Sequence, residues 1–249
     1  EANKGMPTQQ FVTNEVAFNQ LASNCDLDVR TARRLRDNEN YSREFDNLVN
    51  KILVNEPKNK MLRTFDGEQP LVRAIVSDKF KTFDNVDLVQ AALPQLLESD
   101  AQWQIVNGTI TDQRLYMRLK SKNQIAEPAV GDLVSNGVML RNSETGHGSC
   151  EVSQLIWTLA CLNGMTSQNT SRHTHVTSAR GTDEWSLLTN EAKEADNVSL
   201  RLKLRDITAS MADTANFEKT VDQFRLAHGD IVENGLANPS AVVDSVVQV

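Results

Sequence analysis

Between Ser42 and Leu53 the apolar residues Phe45, Leu48, Val49, Ile52 and Leu53 recur at the three-four spacing of a core-facing helix, with Ser42 as its cap. Two shorter helices are predicted before it. One covers Phe11–Asn24, with Asn14 as cap and Val16, Ala17 and Leu21 inward. The other covers Val29–Arg36 and is started by Asp26 or Asp28. After Pro57 the period shortens to two. Met61–Phe65 and Leu71–Val76 flank Asp66-Gly67, a dipeptide suited to the positive φ angles of a hairpin turn. Asn85 then caps a helix that buries Val89, Leu93, Leu96 and Leu97, and Pro94 is expected to kink or divide it.

Trp103 and Ile105 open another strand, with Asn107-Gly108 as a turn or bulge. Gln113–Lys120 gives the cleanest alternation in the chain. Leu115, Met117 and Leu119 fall on one face, and Arg114, Tyr116, Arg118 and Lys120 on the other. Val130–Arg141 reads as a long strand in which Gly131 and Gly137 mark bends or close backbone approaches. A polar turn, Asn142–Ser149, follows. The apolar run Val152, Leu155, Ile156 and Leu159 then fits a helix ended by Gly164. Leu187 and Leu188, Leu200–Ile207 and a helix capped by Asn216 and running to His228 make the remainder mainly helical.

These elements predict an α+β fold: an antiparallel or mixed sheet of about five strands, helices packed on one side, and helical N- and C-terminal segments. The segments are an arm over 1–10, a helical segment over 11–57, an α+β core over 58–165, a polar loop over 166–184 and a mainly helical segment over 185–249, together one domain. No apolar run is long enough for a membrane span, and the polar N-terminus has no signal-peptide pattern. Cys25, Cys150 and Cys161 are odd in number and lack framework spacing, which points to reduced thiols and a cytoplasmic setting.

Charge narrows the functional classes. The net charge of −7 means that any contact with nucleic acid must come from a local basic patch. Arg114, Arg118 and Lys120 with Tyr116 supply one, able to track phosphates and stack a base; a solvent-facing antiparallel strand has the same pattern. Arg172 and Arg180 in the polar loop extend it. Arg30, Arg33, Arg34 and Arg36 form either a second phosphate contact or a solvated helix face. Asn142, Ser143, Gly146 and Gly148 form a turn that binds an anion on backbone N–H groups or simply reverses the chain; it is neither a Walker loop nor a dinucleotide fingerprint. His147, Cys150 and Cys161 lack a fourth ligand and tight pairing for zinc, so no metal or cofactor is assigned.

Three blocks carry a family resemblance: Arg73-Ala74-Ile75-Val76-Ser77-Asp78-Lys79-Phe80 with Asp84-Asn85; Gly137–Arg141 with Asn142-Ser143-Glu144-Thr145-Gly146; and Cys161-Leu162-Asn163-Gly164-Met165. The chain from about Phe11 onward resembles the phage/plasmid-like protein family, domain of unknown function 932, found in phages, prophages and plasmids. Phe80 stands where Tyr is commoner. Family chains usually continue past the point matching Val249, so the resemblance implies a longer natural chain. It brings no established activity. A strand-rich core with a Gly-bearing turn is also reminiscent, by analogy alone, of phage single-strand annealing proteins. The resulting expectation is a non-enzymatic, homo-oligomeric protein that binds and anneals single-stranded DNA in the host cytoplasm. The alternatives are a non-catalytic structural or host-interaction protein, and an enzyme with a metal or phosphate site near Asn142–Gly148.

Overall fold

A computed structural model describes residues 12–55, 59–158, 161–173 and 188–235. In order the elements are β1 (Val12–Thr13), α1 (Glu15–Asn24), α2 (Val29–Arg36), α3 (Ser42–Asn55), β2 (Lys60–Phe65), β3 (Leu71–Ser77), α4 (Asn85–Glu98), β4 (Trp103–Ile110), β5 (Leu115–Ala126), β6 (Val134–Asn142), β7 (Cys150–Thr158), β8 (Cys161–His173), α5 (Asn190–Ala212) and α6 (Thr214–Gly235). A small sheet has the order β1-β3-β2, and a larger antiparallel meander runs β4-β5-β6-β7-β8. The α+β class and the helical flanks are therefore as expected.

Local chemistry explains most boundaries. Asn14 Oδ1 accepts the Ala17 amide at 2.9 Å, which starts α1 at Glu15. Val12 and Thr13, expected inside that helix, instead pair with β3 as a short strand. Asp28 caps α2 through the Thr31 amide at 2.8 Å. α3 starts at Ser42 itself, so Ser42 is its first residue rather than its cap. The hairpin across Asp66-Gly67 is present with a loop longer than two residues. α4 is capped one residue earlier than expected, by Asp84 in a reciprocal capping box with Asp87. The buried stripe becomes Leu88, Ala92 and Leu96, and Leu97 is 70% exposed. Pro94 does not divide α4. Pro94 and Gln90, whose carbonyl loses its usual N–H partner there, both lie on the exposed side.

The main correction concerns Cys150–His173. The helix expected from Val152, Leu155, Ile156 and Leu159, and the αL stop expected at Gly164, are replaced by two antiparallel strands. β7 is buried on both faces, so apolar residues from opposite faces mimicked a helical spacing. Cys150, Val152, Gln154 and Ile156 face the helices; Glu151, Ser153, Leu155 and Trp157 face away. The β-branched and aromatic residues Val152, Ile156, Trp157 and Thr158 favour the strand. β8 sits at the edge of the sheet and is polar, which is why it read as loop. The arm over 1–10, residues 174–184 of the polar loop, and residues 185–187 and 236–249 of the expected C-terminal helical segment lie outside the described residues.

One face of the meander is covered by helices. Leu88, Ala92 and Leu96 of α4 and Leu204 and Met211 of α5 pack on Leu115, Leu119, Val138, Leu140 and Val152. Phe217 and Val221 of α6 pack on Val134 and Ile156. A chain of buried amides fixes the α5–α6 corner. Asn136 Nδ2 donates to Gln124 Oε1 at 2.7 Å and to the Met211 carbonyl at 2.9 Å, and Gln154 Nε2 donates to Asn136 Oδ1 at 3.2 Å. Gln124 Nε2 in turn reaches the Ala212 carbonyl and Thr214 Oγ1, each at 2.8 Å.

On the opposite face the Trp157 indole lies across Gly137, and its Nε1 donates to the Leu119 carbonyl at 3.3 Å. A Cβ at position 137 would stand 2.3 Å from Trp157 Nε1 and 2.9 Å from Leu119 O. Of the bend or close approach expected at Gly137, the structure shows the close approach, to Trp157 and the Leu119 carbonyl. Gly137→Ala is expected to destabilise the fold by about 1–3 kcal/mol through overpacking. Chemical denaturation would read this, and adding Trp157→Leu should recover part of the loss.

Candidate nucleic-acid interface

The alternation of β5 places Tyr116, Arg118 and Lys120 on the face without helices. Across the sheet Tyr116 pairs with Arg141, Arg141 with Glu151 and Glu151 with Arg172, a row spanning β5 to β8. Successive strands lie about 4.8 Å apart, so Tyr116 and Arg172 are about 14 Å from each other. Arg118 and Arg172 are exposed, and Tyr116, Lys120 and Arg141 are half-buried.

Arg114 precedes β5 in a tight turn in which its amide donates to Thr111 Oγ1 at 3.1 Å. Its Nε donates to the His147 carbonyl at 2.8 Å and its Nη1 to the Tyr116 hydroxyl at 3.2 Å. The Arg141 guanidinium lies 6.0 Å from the Tyr116 ring centre and 3.2 Å from Glu151. Ser153 Oγ holds the other side of that carboxylate at 2.8 Å. Arg141 Nε is buried without a hydrogen-bond partner among the described residues, which costs about 1–3 kcal/mol. Arg172 Nε donates to Ser149 Oγ at 2.9 Å.

The structure thus brings Arg114, Tyr116, Arg118, Lys120 and Arg172 to one surface; Arg180 lies outside the described residues. Arg141 and Glu151 are members that the sequence reading missed. Arg141 stood at the end of an expected buried strand, and Glu151 in an expected helix. The α2 arginines divide. Arg33 and Arg36 pair with Glu15, and the Arg36 guanidinium sits 4.0 Å over Phe18, so both belong to packing between α1 and α2. Arg30 and Arg34 are exposed.

The Asn142–Gly148 turn joins the two sheets. Glu144 Oε1 accepts the Asn85 amide at 2.7 Å, and Oε2 accepts Arg73 Nη2 at 2.8 Å. A carboxylate from the protein itself therefore sits at the N-terminus of α4. Asn142 Nδ2 donates to the Phe83 carbonyl at 3.0 Å, and Gln20 Nε2 to the Thr145 carbonyl at 2.8 Å. The Ser143 hydroxyl accepts the His147 amide at 2.9 Å and donates to the Gln113 carbonyl at 2.7 Å. Gly146 has φ +81, and a Cβ there would lie 3.3 Å from Val76. The anion reading relied on a helix starting after Gly148, and a strand starts there instead. Cys150 is packed in the core, and burial first, then Glu151 and Asp87, push its thiol up to about 12. Burial, with Lys203 and Lys81, lowers the His173 pKa. Among the described residues no group of three or more His, Cys, Asp or Glu could hold a metal, and no helix is long and apolar enough to cross a membrane.

These features define an α+β protein whose five-stranded antiparallel meander is backed by helices on one side and carries a basic row on the other. The family model for a domain of unknown function (DUF932) matches residues 72–228, and the chain belongs to that family. The match takes in the meander and is narrower than the extent expected from Phe11 onward. No curated protein and no solved structure matches the chain.

Two predictions follow from the turn and from the thiol beneath it. Glu144→Ala should cost about 2–3 kcal/mol, the worth of hydrogen bonds to a charged group, measured as a lower denaturation midpoint. Cys150 should alkylate far more slowly in the native than in the unfolded protein at mildly alkaline pH. Its folded pKa lies above the ordinary thiol value of 9.0, so its contribution is complete below pH 9 and is lost as the pH rises towards 12. The stability advantage of wild type over Cys150→Ala should shrink across that window.

Proposed function

We propose that the protein binds single-stranded DNA along the helix-free face of the meander and promotes strand annealing, without catalysing a reaction, as a homo-oligomer encoded by a phage or other mobile element. The observation that carries this reading is the set Arg114, Arg118, Lys120, Arg141 and Arg172 on one surface around Tyr116, with Glu151 as the acidic member of the cross-strand row. An acidic protein that concentrates cations on one sheet face has a local attraction for phosphate while the rest of its surface repels it. Arg118 and Arg172 meet phosphates, and Tyr116 offers a ring to a base.

A second reading, a non-catalytic structural or host-interaction protein that works as an assembly, is favoured by the exposed, uncharged edge strand β4. Fluorescence anisotropy with a labelled oligothymidine separates the two. Under the first reading affinity falls steeply with salt, by about 0.7 log units per log unit of salt for each phosphate contacted. Arg114→Glu with Arg118→Glu should weaken binding more than about tenfold and flatten that slope, while Arg30→Glu with Arg34→Glu should change it little. Absence of binding at low salt, or binding indifferent to salt, leaves the second reading.

A further inference from the structure

β4 is the outer strand of the meander, and one side of its backbone has no strand partner among the described residues. Its eight residues, Trp-Gln-Ile-Val-Asn-Gly-Thr-Ile, contain no charge and no proline. Ile105, Val106 and Ile110 are 55%, 47% and 74% exposed. Edge strands of natural proteins are usually guarded by charge, proline or brevity, and a long uncharged apolar edge is a template for pairing. The other described edge strands longer than two residues do carry charge: Lys60 and Arg63 on β2, and Arg172 on β8.

The register of β4 on β5 fixes which groups face outward. Lys122 N donates to the Gln102 carbonyl, and Thr111 N to the Arg114 carbonyl. Backbone groups of Gln104, Asn107 and Thr109 accordingly face β5, the bulge at Val106 shifting the alternation by one. Those of Trp103, Ile105, Gly108 and Ile110 face outward. The same four residues lie on the helix-covered side, because Ile105, Gly108 and Ile110 pair with Leu119, Met117 and Leu115 and Trp103 packs on the same core.

We propose that β4 pairs antiparallel with β4 of a second copy of this chain, with the two-fold axis between Val106 and Asn107. In that register Ile105 stands opposite Gly108 of the copy, and Trp103 opposite Ile110. Hydrogen-bonding parity and face parity agree at both pairs, and the bulges of the two strands meet at the axis. Large residue meets small, apolar meets apolar, and the sheets join with their helix-covered faces on the same side. Two copies of net charge −7 repel overall, and the uncharged strand is where their approach costs least, so the self-complementary register carries the choice of partner.

This pairing supplies a contact for the proposed assembly and does not require nucleic-acid binding. The residues that flank the axis give its test. Gln104 and Thr109 of the copy form a non-hydrogen-bonded pair, with Cα atoms about 4.5 Å apart, within disulfide reach. Under mild oxidation, a mixture of the Gln104→Cys and Thr109→Cys variants should give a covalent dimer, and neither variant alone should. Sedimentation velocity of the wild type should show a concentration-dependent dimer, and Ile110→Lys should weaken it about tenfold or more with an unchanged far-ultraviolet spectrum. A wild type that stays monomeric throughout, or either cysteine variant linking to itself as fast as the mixture does, overturns the pairing. Oligothymidine binding measured on Ile110→Lys reports on the basic face separately, so either idea can fail alone.

Discussion

Glu144 bonds to the first amide of α4 and to Arg73 of β3, and so ties the turn of the large sheet to the small sheet and to the helix between them. The neighbouring contacts use the same spot. Arg63 of β2 pairs with Asp84, Arg201 of α5 with Asp87 at 3.0 Å, and Asn142 holds the Phe83 carbonyl. The start of α4 is thus a hub where β2, β3, β6 and α5 converge. Its charges are partly shielded, so each bond counts for more than an exposed ion pair. With this hub in place, α4 lies across the meander, one sheet face is filled, and the other is left for contact.

That division sets the chemistry each face can offer. The helix side holds aliphatic residues and a closed amide network. The other side holds Trp157 over Gly137 at one end of the strands and the Tyr116–Arg141–Glu151–Arg172 row at the other. Glu151 allows Arg141 to be half-buried there, because an arginine so placed needs a counter-charge. Arg118 and Arg172 stay exposed beside it, so the row combines an anchored cation with accessible ones.

Much of this was legible before the structure. The N-terminal helices, the Asp66-Gly67 hairpin and the two faces of Arg114–Lys120 each rest on a local signal: a cap, a turn dipeptide, a period of two. The failures are equally local. β7 is buried on both sides, so it has no amphipathic alternation, and Val152, Leu155 and Ile156 matched a helix by coincidence. β8 is polar because it lies at an edge, and edge position is a property of the whole sheet. Glu144 was visible as a turn residue, but its partners Arg73 and Asn85 are 71 and 59 residues away in the chain. The misreading of β7 also hid Glu151 and, with it, the row that Arg141 completes.

The amide chain through Gln124, Asn136 and Gln154 has a consequence for folding order. These side chains come from three successive strands and meet only when all three are in register. A slip of one residue in β6 would turn Asn136 to the open face and strand Gln124 and Gln154 in an apolar layer. The corner between α5 and α6 binds the chain through the Met211 and Ala212 carbonyls. The last part of the described chain to be synthesised therefore docks well only on a sheet that is already correctly paired, and the helical corner acts as a proofreader of the strands beneath it.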